Sequence, residues 1–141
     1  MLVTHGQHIF PAGASIFAKN SPTSSFQNDI QPHNNQLIII KDQVSVFAST
    51  DIDKRLKEKG INTLIITGLM THACVSGAAR DAVPNGYNVI IVDDACAARQ
   101  LNVQDHQPLS DVQVHEASFA TINEGFVQIF TTDEVLKFEL I

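Results

Sequence analysis

Short apolar runs alternate with amphipathic stretches along most of this chain. Four runs rich in β-branched residues lie at positions 37–40, 64–67, 89–92 and 127–130. Runs of this length predict strands, and the continuous apolar character of the first three predicts strands buried on both faces of a sheet. The fourth run follows a longer amphipathic stretch at positions 109–123.

Helices are predicted between these strands. Residues 51–60 begin with acidic side chains, continue with basic ones and end at a glycine, which is typical of a helix with Thr50 or Asp51 as its N-cap. Residues 73–86 are rich in small side chains and close on a Pro-Asn-Gly turn, which predicts a second helix. A short terminal helix is predicted from Thr132. The alternation predicts an α/β fold with a parallel sheet wrapped by helices.

The first 36 residues do not follow this alternation. Residues 19–36 are rich in Asn, Ser, Pro, Thr and Gln and predict an irregular loop. No internal repeat is present. The length of 141 residues suits a single domain with its own core, so one domain is predicted over residues 1–141, with residues 1–36 atypical and loop-rich.

Composition and charge exclude several classes of protein. Hydrophobic residues make up 44% of the chain, and 15 acidic against 9 basic residues give a net charge of −6. The acidic balance argues against a nucleic-acid or membrane partner. No apolar run approaches the ~20 residues of a membrane span, and the first residues do not form a signal peptide. Two cysteines are too few for a disulfide framework, so a cytoplasmic location is expected.

Two reactive side chains follow predicted strands. Ligands of open α/β sheets bind beyond the carboxyl ends of the strands, which is where Lys41 and Cys74 lie. The amides at a helix start stabilise a thiolate, and Cys74 is placed at such a start. A lysine there could stabilise that thiolate. The alternatives are a small buried cysteine and a solvated lysine at a strand end.

Longer segments carry a resemblance to a known family. Residues 41–52 match the pattern K-x-x-x-S-x-F-x-x-T-D, and residues 60–75 run from an apolar strand through G-L-M-T-H-A-C-V. Together with matching segments up to T-T-D-E-V-L near the end, residues 37–138 resemble the isochorismatase-like cysteine hydrolases. The resemblance implies a three-layer α-β-α sandwich with a mostly parallel sheet.

The resemblance also implies a site. Cys74 would be the nucleophile and Lys41 the cation beside it, and the backbone amides of Met70 and Cys74 would form an oxyanion hole after a cis Leu69-Met70 peptide. Phe47 and His72 are candidate pocket residues, although core packing explains Phe47 equally well and a backbone-satisfied histidine explains His72. No cofactor is expected.

One part of the family pattern is missing. The family has a catalytic Asp at the end of its first strand, and no such segment occurs in this chain, in which residues 1–4 look like the second strand. Because the missing strand is central, two half-sheets with facing unpaired edges are expected. Without the Asp, the chain should react once with an activated substrate and then stall.

The remaining polar residues are weaker candidates. His5 and His8 lack the aspartate and spacing of the metal site found in nicotinamidases of this superfamily, so no metal site is predicted. Asp29 is a remote candidate for a replacement base, and Cys96 is expected to pack in the interior.

These observations predict a hydrolase that acts through Cys74 on a small amide or vinyl-ether metabolite and forms a homo-oligomer. The substrate itself stays open. The alternative is a catalytically inactive member that acts as a binding or oligomer-forming subunit.

Overall fold

Within the described residues, five parallel strands and five α-helices form the fold. The structure, a computed structural model, describes residues 1–124 and 126–138, so Gly125 and the last three residues of the predicted domain lie outside the described part. The strands are β1 (Thr4–His8), β2 (Leu37–Lys41), β3 (Thr63–Leu69), β4 (Asn88–Ala97) and β5 (Gln128–Phe130). The helices are α1 (Val46–Ser49), α2 (Ile52–Glu58), α3 (Ser76–Ala82), α4 (Asp111–Ile122) and α5 (Thr132–Val135).

The strands form two separate sheets. β1 pairs with β2, and β4 lies between β3 and β5 in the second sheet; every pairing is parallel. The register of the first sheet places His8 opposite Lys41. The expected half-sheets are therefore present, and residues 19–36, expected to be irregular, contain two short 3₁₀ helices, Pro22–Ser24 and Asn28–Ile30.

Local sequence explains where the helices begin. Ser110 and Gln113 form a capping box at the start of α4, in which each side chain bonds the other residue's backbone amide. Asp51 is the N-cap position of α2, although its side chain pairs with Arg55 at 2.7 Å instead of capping the helix. None of the described helices is long and apolar enough to cross a membrane.

The core lies where helices pack against the sheets. It is built mainly from aliphatic and aromatic side chains of β2, α2, α3, β4 and α4, and Ile91 and Ile122 are fully enclosed. The prediction of burial on both faces is right for Val89–Val92 but wrong for β2 and β3. Ile38 and Ile40 are 45% and 61% exposed, because alternate residues of β2 point away from the core that covers Ile39.

The unpaired edges of the two sheets face one cleft. All of β1 and all of β3 line it, and its volume is about 2500 Å³. Lys41 and Cys74 lie at this cleft, as the strand-end rule predicts.

Candidate functional site

Cys74 lies on a helical turn between β3 and α3. Residues Thr71–Val75 form a single π-helical turn, in which the carbonyl oxygen of Met70 accepts hydrogen bonds from the amides of Ala73 and Val75 at 2.9 and 3.3 Å. The cysteine thus sits inside this turn and not at the first residue of α3, because the wider turn precedes the regular helix. The peptide bond between Leu69 and Met70 is cis, as the resemblance implied.

Lys41 contacts Cys74 directly. Its Nζ lies 3.3 Å from Sγ of Cys74, and the lysine is only 6% exposed. Nζ also donates to the carbonyl oxygens of Gln43 at 2.7 Å and Val44 at 3.0 Å. A solvated lysine at a strand end is therefore excluded, since Lys41 is buried and its ammonium group is held at the thiol by hydrogen bonds.

A fourth acceptor for the lysine is the imidazole of His8. Nδ1 of His8 lies 3.0 Å from Nζ of Lys41. Because an ammonium group only donates, Nδ1 carries no proton and the neutral ring carries its proton on Nε2. Burial and the Lys41 charge lower the pKa of His8 below its usual 6.5, against smaller raising effects of Asp42. His8 is therefore a neutral base at pH 7.

The two candidate pocket residues line the cleft. His72 is half-buried, its Nδ1 has no hydrogen-bond partner within the described chain, and burial followed by the charge of Arg99 lowers its pKa. A histidine satisfied by backbone is thus not what the structure shows. Phe47 lies 5.8 Å from the ring of Tyr87 and also packs against the core.

The turn that carries Cys74 is tied to α4 and β4 by a chain of hydrogen bonds. Oγ1 of Thr71, a fully buried residue, bonds Nδ1 of His115 at 2.8 Å, and Nε2 of His115 bonds a carboxylate oxygen of Asp93 at 2.7 Å. The sequence contains no local pattern that predicts these hydrogen bonds, because the bonded residues are 22 and 44 positions apart.

The cleft has basic but no acidic lining. Lys41, Lys59 and Arg99 line it, and among the described residues at its wall there is no Asp or Glu. Asp29 is exposed on the short Asn28–Ile30 helix and does not line the cleft. Within residues 1–124 and 126–138, no group of three or more His, Cys, Asp or Glu side chains could hold a metal ion.

Cys96, the second cysteine, is a different kind of thiol. It is half-buried against the core, and burial raises its pKa to about 11, with a smaller raising effect of Asp93 and Asp94. Cys96 was expected to pack in the interior, and the structure places it partly buried against the core. At neutral pH Cys96 is protonated and a poor nucleophile.

Comparison with known proteins finds relatives of the isochorismatase type. Residues 2–134 match the family described as the Isochorismatase domain. The isochorismatase family protein YddQ of Bacillus subtilis is 32% identical over 136 residues, which cover 96% of this chain and 75% of YddQ. The ureidoacrylate amidohydrolase RutB of Acinetobacter baylyi is 28% identical over 122 residues, which cover 86% of this chain and 46% of RutB.

A solved structure shows the same fold. The cysteine hydrolase from Pseudomonas syringae pv. phaseolicola superposes with a TM-score of 0.89 at 27% identity, over 96% of this chain and 70% of that one. The described helices and parallel strands are consistent with its three-layer α/β architecture.

Proposed function

The chain belongs to the isochorismatase family of hydrolases, and we propose that it hydrolyses its substrate through a covalent adduct on Cys74. The observation that carries this proposal is the 3.3 Å contact between Nζ of Lys41 and Sγ of Cys74 at the wall of the cleft. A buried cation at that distance favours the thiolate, which is the nucleophilic form of cysteine.

The proposed reaction has two halves with different requirements. The thiolate attacks the substrate carbonyl, and the backbone amides of Met70 and Cys74 are proposed to hold the oxyanion that forms. Collapse of this intermediate expels an amine and leaves a thioester, which water then hydrolyses. The second half requires a proton acceptor, and the carboxylate that this family uses has no counterpart among the described residues at the cleft wall.

The proposed substrate is a small amide. RutB is named as an amidohydrolase, and a thioester route cleaves C–N bonds directly, whereas a vinyl ether offers no carbonyl to attack. The cationic side chains of Lys41, Lys59 and Arg99 line the cleft, and no Asp or Glu is among its described lining residues. A neutral or anionic amide is therefore favoured over a cationic one. No cofactor takes part in this scheme.

The test uses an activated ester and mass spectrometry. After incubation with p-nitrophenyl acetate, the wild-type chain should carry one acetyl group on Cys74, and Cys74→Ala should carry none while keeping its fold. Cys96→Ala is the matched control and should still be acylated. An acetyl group that persists in Cys74→Ala would remove Cys74 as the nucleophile.

An inactive subunit is the rival function, since no Asp or Glu lines the cleft among the described residues. Thiol labelling separates the two. An activated Cys74 should react with iodoacetamide far faster than Cys96, whose pKa is raised to about 11 by burial. Equal and slow labelling of both cysteines would favour the inactive subunit.

The setting proposed for this reaction is the cytoplasm. The structure holds both cysteines as free thiols, which suits a reducing compartment. The acidic net charge of −6 supports a small-molecule substrate over a nucleic-acid or membrane partner.

A further inference from the structure

The cleft contains a base that already touches the catalytic lysine. Nζ of Lys41 lies between Sγ of Cys74 at 3.3 Å and Nδ1 of His8 at 3.0 Å, so the three side chains form one hydrogen-bonded row. Three histidines line the cleft: His5, His8 and His72. Of these, His5 bonds the side chain of Gln36, and His8 is the one with a hydrogen bond to Lys41.

We propose that His8 is the proton acceptor of this site and takes up protons from Cys74 and from the hydrolytic water through Lys41. The proposal rests on the proposed function, because it needs Cys74 as the nucleophile. It also changes the expectation drawn from sequence, since a chain with a working base turns over and does not stall after one reaction.

In the first half-reaction, Lys41 gives one of its protons to Nδ1 of His8, which frees a lone pair on Nζ. The S–H bond of Cys74 breaks, and its proton passes to that lone pair. Lys41 stays an ammonium ion, His8 becomes an imidazolium, and sulfur keeps the electron pair. When the C–N bond of the substrate breaks, the proton returns along the same row to the leaving amine.

The second half-reaction uses the same row. Lys41 again gives a proton to Nδ1 of His8, and its Nζ then takes a proton from water. The hydroxide that forms adds to the thioester carbonyl. The C–S bond breaks, the thiolate leaves, and the proton on His8 returns to Cys74. No oxidant or metal ion enters this sequence.

The surroundings of His8 are aromatic and charged, and its Nε2 is buried without a hydrogen-bond partner among the described residues. Lys41 and Asp42 are charged groups that face it, and burial, followed by the charge of Lys41, lowers its pKa. The ring of Phe17 stacks on the imidazole at 5.1 Å and 19°, and the ring of Phe10 meets it edge-on at 4.5 Å. An aromatic face stabilises a transient imidazolium through its π electrons.

The backbone holds this stack in place. Phe17 has a φ of 51°, which bulky residues rarely adopt, and its carbonyl oxygen accepts a hydrogen bond from the amide of Phe10 at 2.8 Å. The loop between the two residues therefore folds back so that both rings enclose His8.

The experiment is stopped-flow hydrolysis of p-nitrophenyl acetate by the wild-type chain, His8→Asn, His8→Ala and His5→Asn. Oδ1 of an asparagine can take the place of Nδ1 as an acceptor for Lys41, but the amide cannot take up a proton. His5 lies on the same strand, three positions earlier, so His5→Asn is the matched control. Far-ultraviolet circular dichroism checks that each variant folds.

The expected result separates proton transfer from positioning. Wild type and His5→Asn should release one equivalent of p-nitrophenol in a burst and then turn over. His8→Asn should keep the burst amplitude but reach it more slowly, because Cys74 loses its proton acceptor while p-nitrophenolate needs no proton to leave. Its steady turnover should fall by about 10²–10⁴-fold. His8→Ala should lose at least as much steady turnover as His8→Asn.

The pH profile gives a second readout. Turnover of the wild-type chain should fall as pH drops through the lowered pKa of His8, since only the neutral ring accepts a proton, and His8→Asn should lack this step. The proposal is overturned if wild type stalls after the burst, if the burst of His8→Asn is as fast as that of wild type, or if His8→Asn loses less than tenfold in turnover or keeps the pH step. Failure of the proposed function is seen separately, as an undiminished burst in Cys74→Ala.

Discussion

The ammonium group of Lys41 is buried but has more acceptors than protons. Its three N–H groups face the sulfur of Cys74, the imidazole of His8 and the carbonyl oxygens of Gln43 and Val44. A buried cation is costly unless polar groups replace its water. The four acceptors do so, and they also fix Nζ beside the thiol.

Loss of this cation should slow the reaction of Cys74 more than it unfolds the chain. An opposite charge within about 4–6 Å typically favours an ionised group by a factor of about 10 to 1000. We therefore expect Lys41→Met to reduce the rate of Cys74 alkylation by iodoacetamide by that factor at neutral pH. Lys54→Met, which alters an exposed pair with Glu58, is the control, and equal rates in both variants would show that Lys41 does not act on the thiol.

Tyr87 offers a prediction on stability and pH. Its hydroxyl donates to Oδ1 of Asp53 at 2.9 Å, and burial, followed by Asp53, raises its pKa to about 12. The unfolded chain ionises this group near pH 10, so its contribution to stability is complete below about pH 10 and is lost as pH rises toward about 12.

Tyr87→Phe removes both the hydrogen bond and the titration. At pH 7 the variant should lose about 0.5–1.5 kcal/mol in the free energy of unfolding. That difference should shrink above pH 10, because only the wild-type chain loses the contribution of the hydroxyl. Urea unfolding at pH 7 and at pH 11 measures it, and a constant difference would contradict the assigned pKa.

At the residue scale, the sequence predicted part of the site. Lys41 and Cys74 could be placed together because each follows a parallel strand, and such strands end at one edge. His8 lies at the end of β1, opposite Lys41 in the register, but the pairing of β1 with β2 joins residues more than 30 positions apart. No local pattern specifies that pairing.

Among the elements, the turn that holds Cys74 depends on two neighbours. His115 on α4 links Thr71 in the turn to Asp93 on β4. Since Thr71 is fully buried, its hydroxyl must find a partner inside the protein. The hydrogen-bond chain therefore fixes the turn against the helix that covers it.

Two variants of His115 should differ in stability. His115→Ala leaves the hydroxyl of Thr71 buried without a partner and should cost about 1–3 kcal/mol in the free energy of unfolding. His115→Asn can still accept a hydrogen bond from Thr71 and should lose less. Urea unfolding of both variants gives the comparison, and an equal loss would show that packing of the ring against Phe119, rather than the hydrogen bond, is what matters.

Most of the strands and helices were predictable, but which faces of the sheets are buried was not. Apolar runs predicted β2, β3, β5 and the first part of β4, which continues to Ala97. They predicted neither β1 nor the short helix α1. The pattern of Leu37–Lys41 is the same whether one face or two are covered, so it predicted two-sided burial where the structure shows one side covered. The burial of a sheet face depends on which helices or loops pack against it, and a local sequence pattern does not carry that information.

In the whole molecule, apolar surface remains at the outer face of the first sheet. Ile38 and Ile40 are 45% and 61% exposed and are two residues apart, so they share that face. They do not line the cleft, which Ile39 and Lys41 border from the other side. Exposed apolar patches on a sheet favour association.

We therefore expect the chain to be an oligomer in which this outer face is buried. Multi-angle light scattering in dilute buffer at about 0.15 M salt, where charge repulsion at a net −6 is screened, should give a mass at least twice the 15.4 kDa of the chain. Ile40→Lys should shift the mass toward the monomer, because it places a charge in the contact, while Val112→Lys, at an exposed position of α4, should not. A wild-type monomer would refute the association, and an unchanged mass for Ile40→Lys would place the contact on another face.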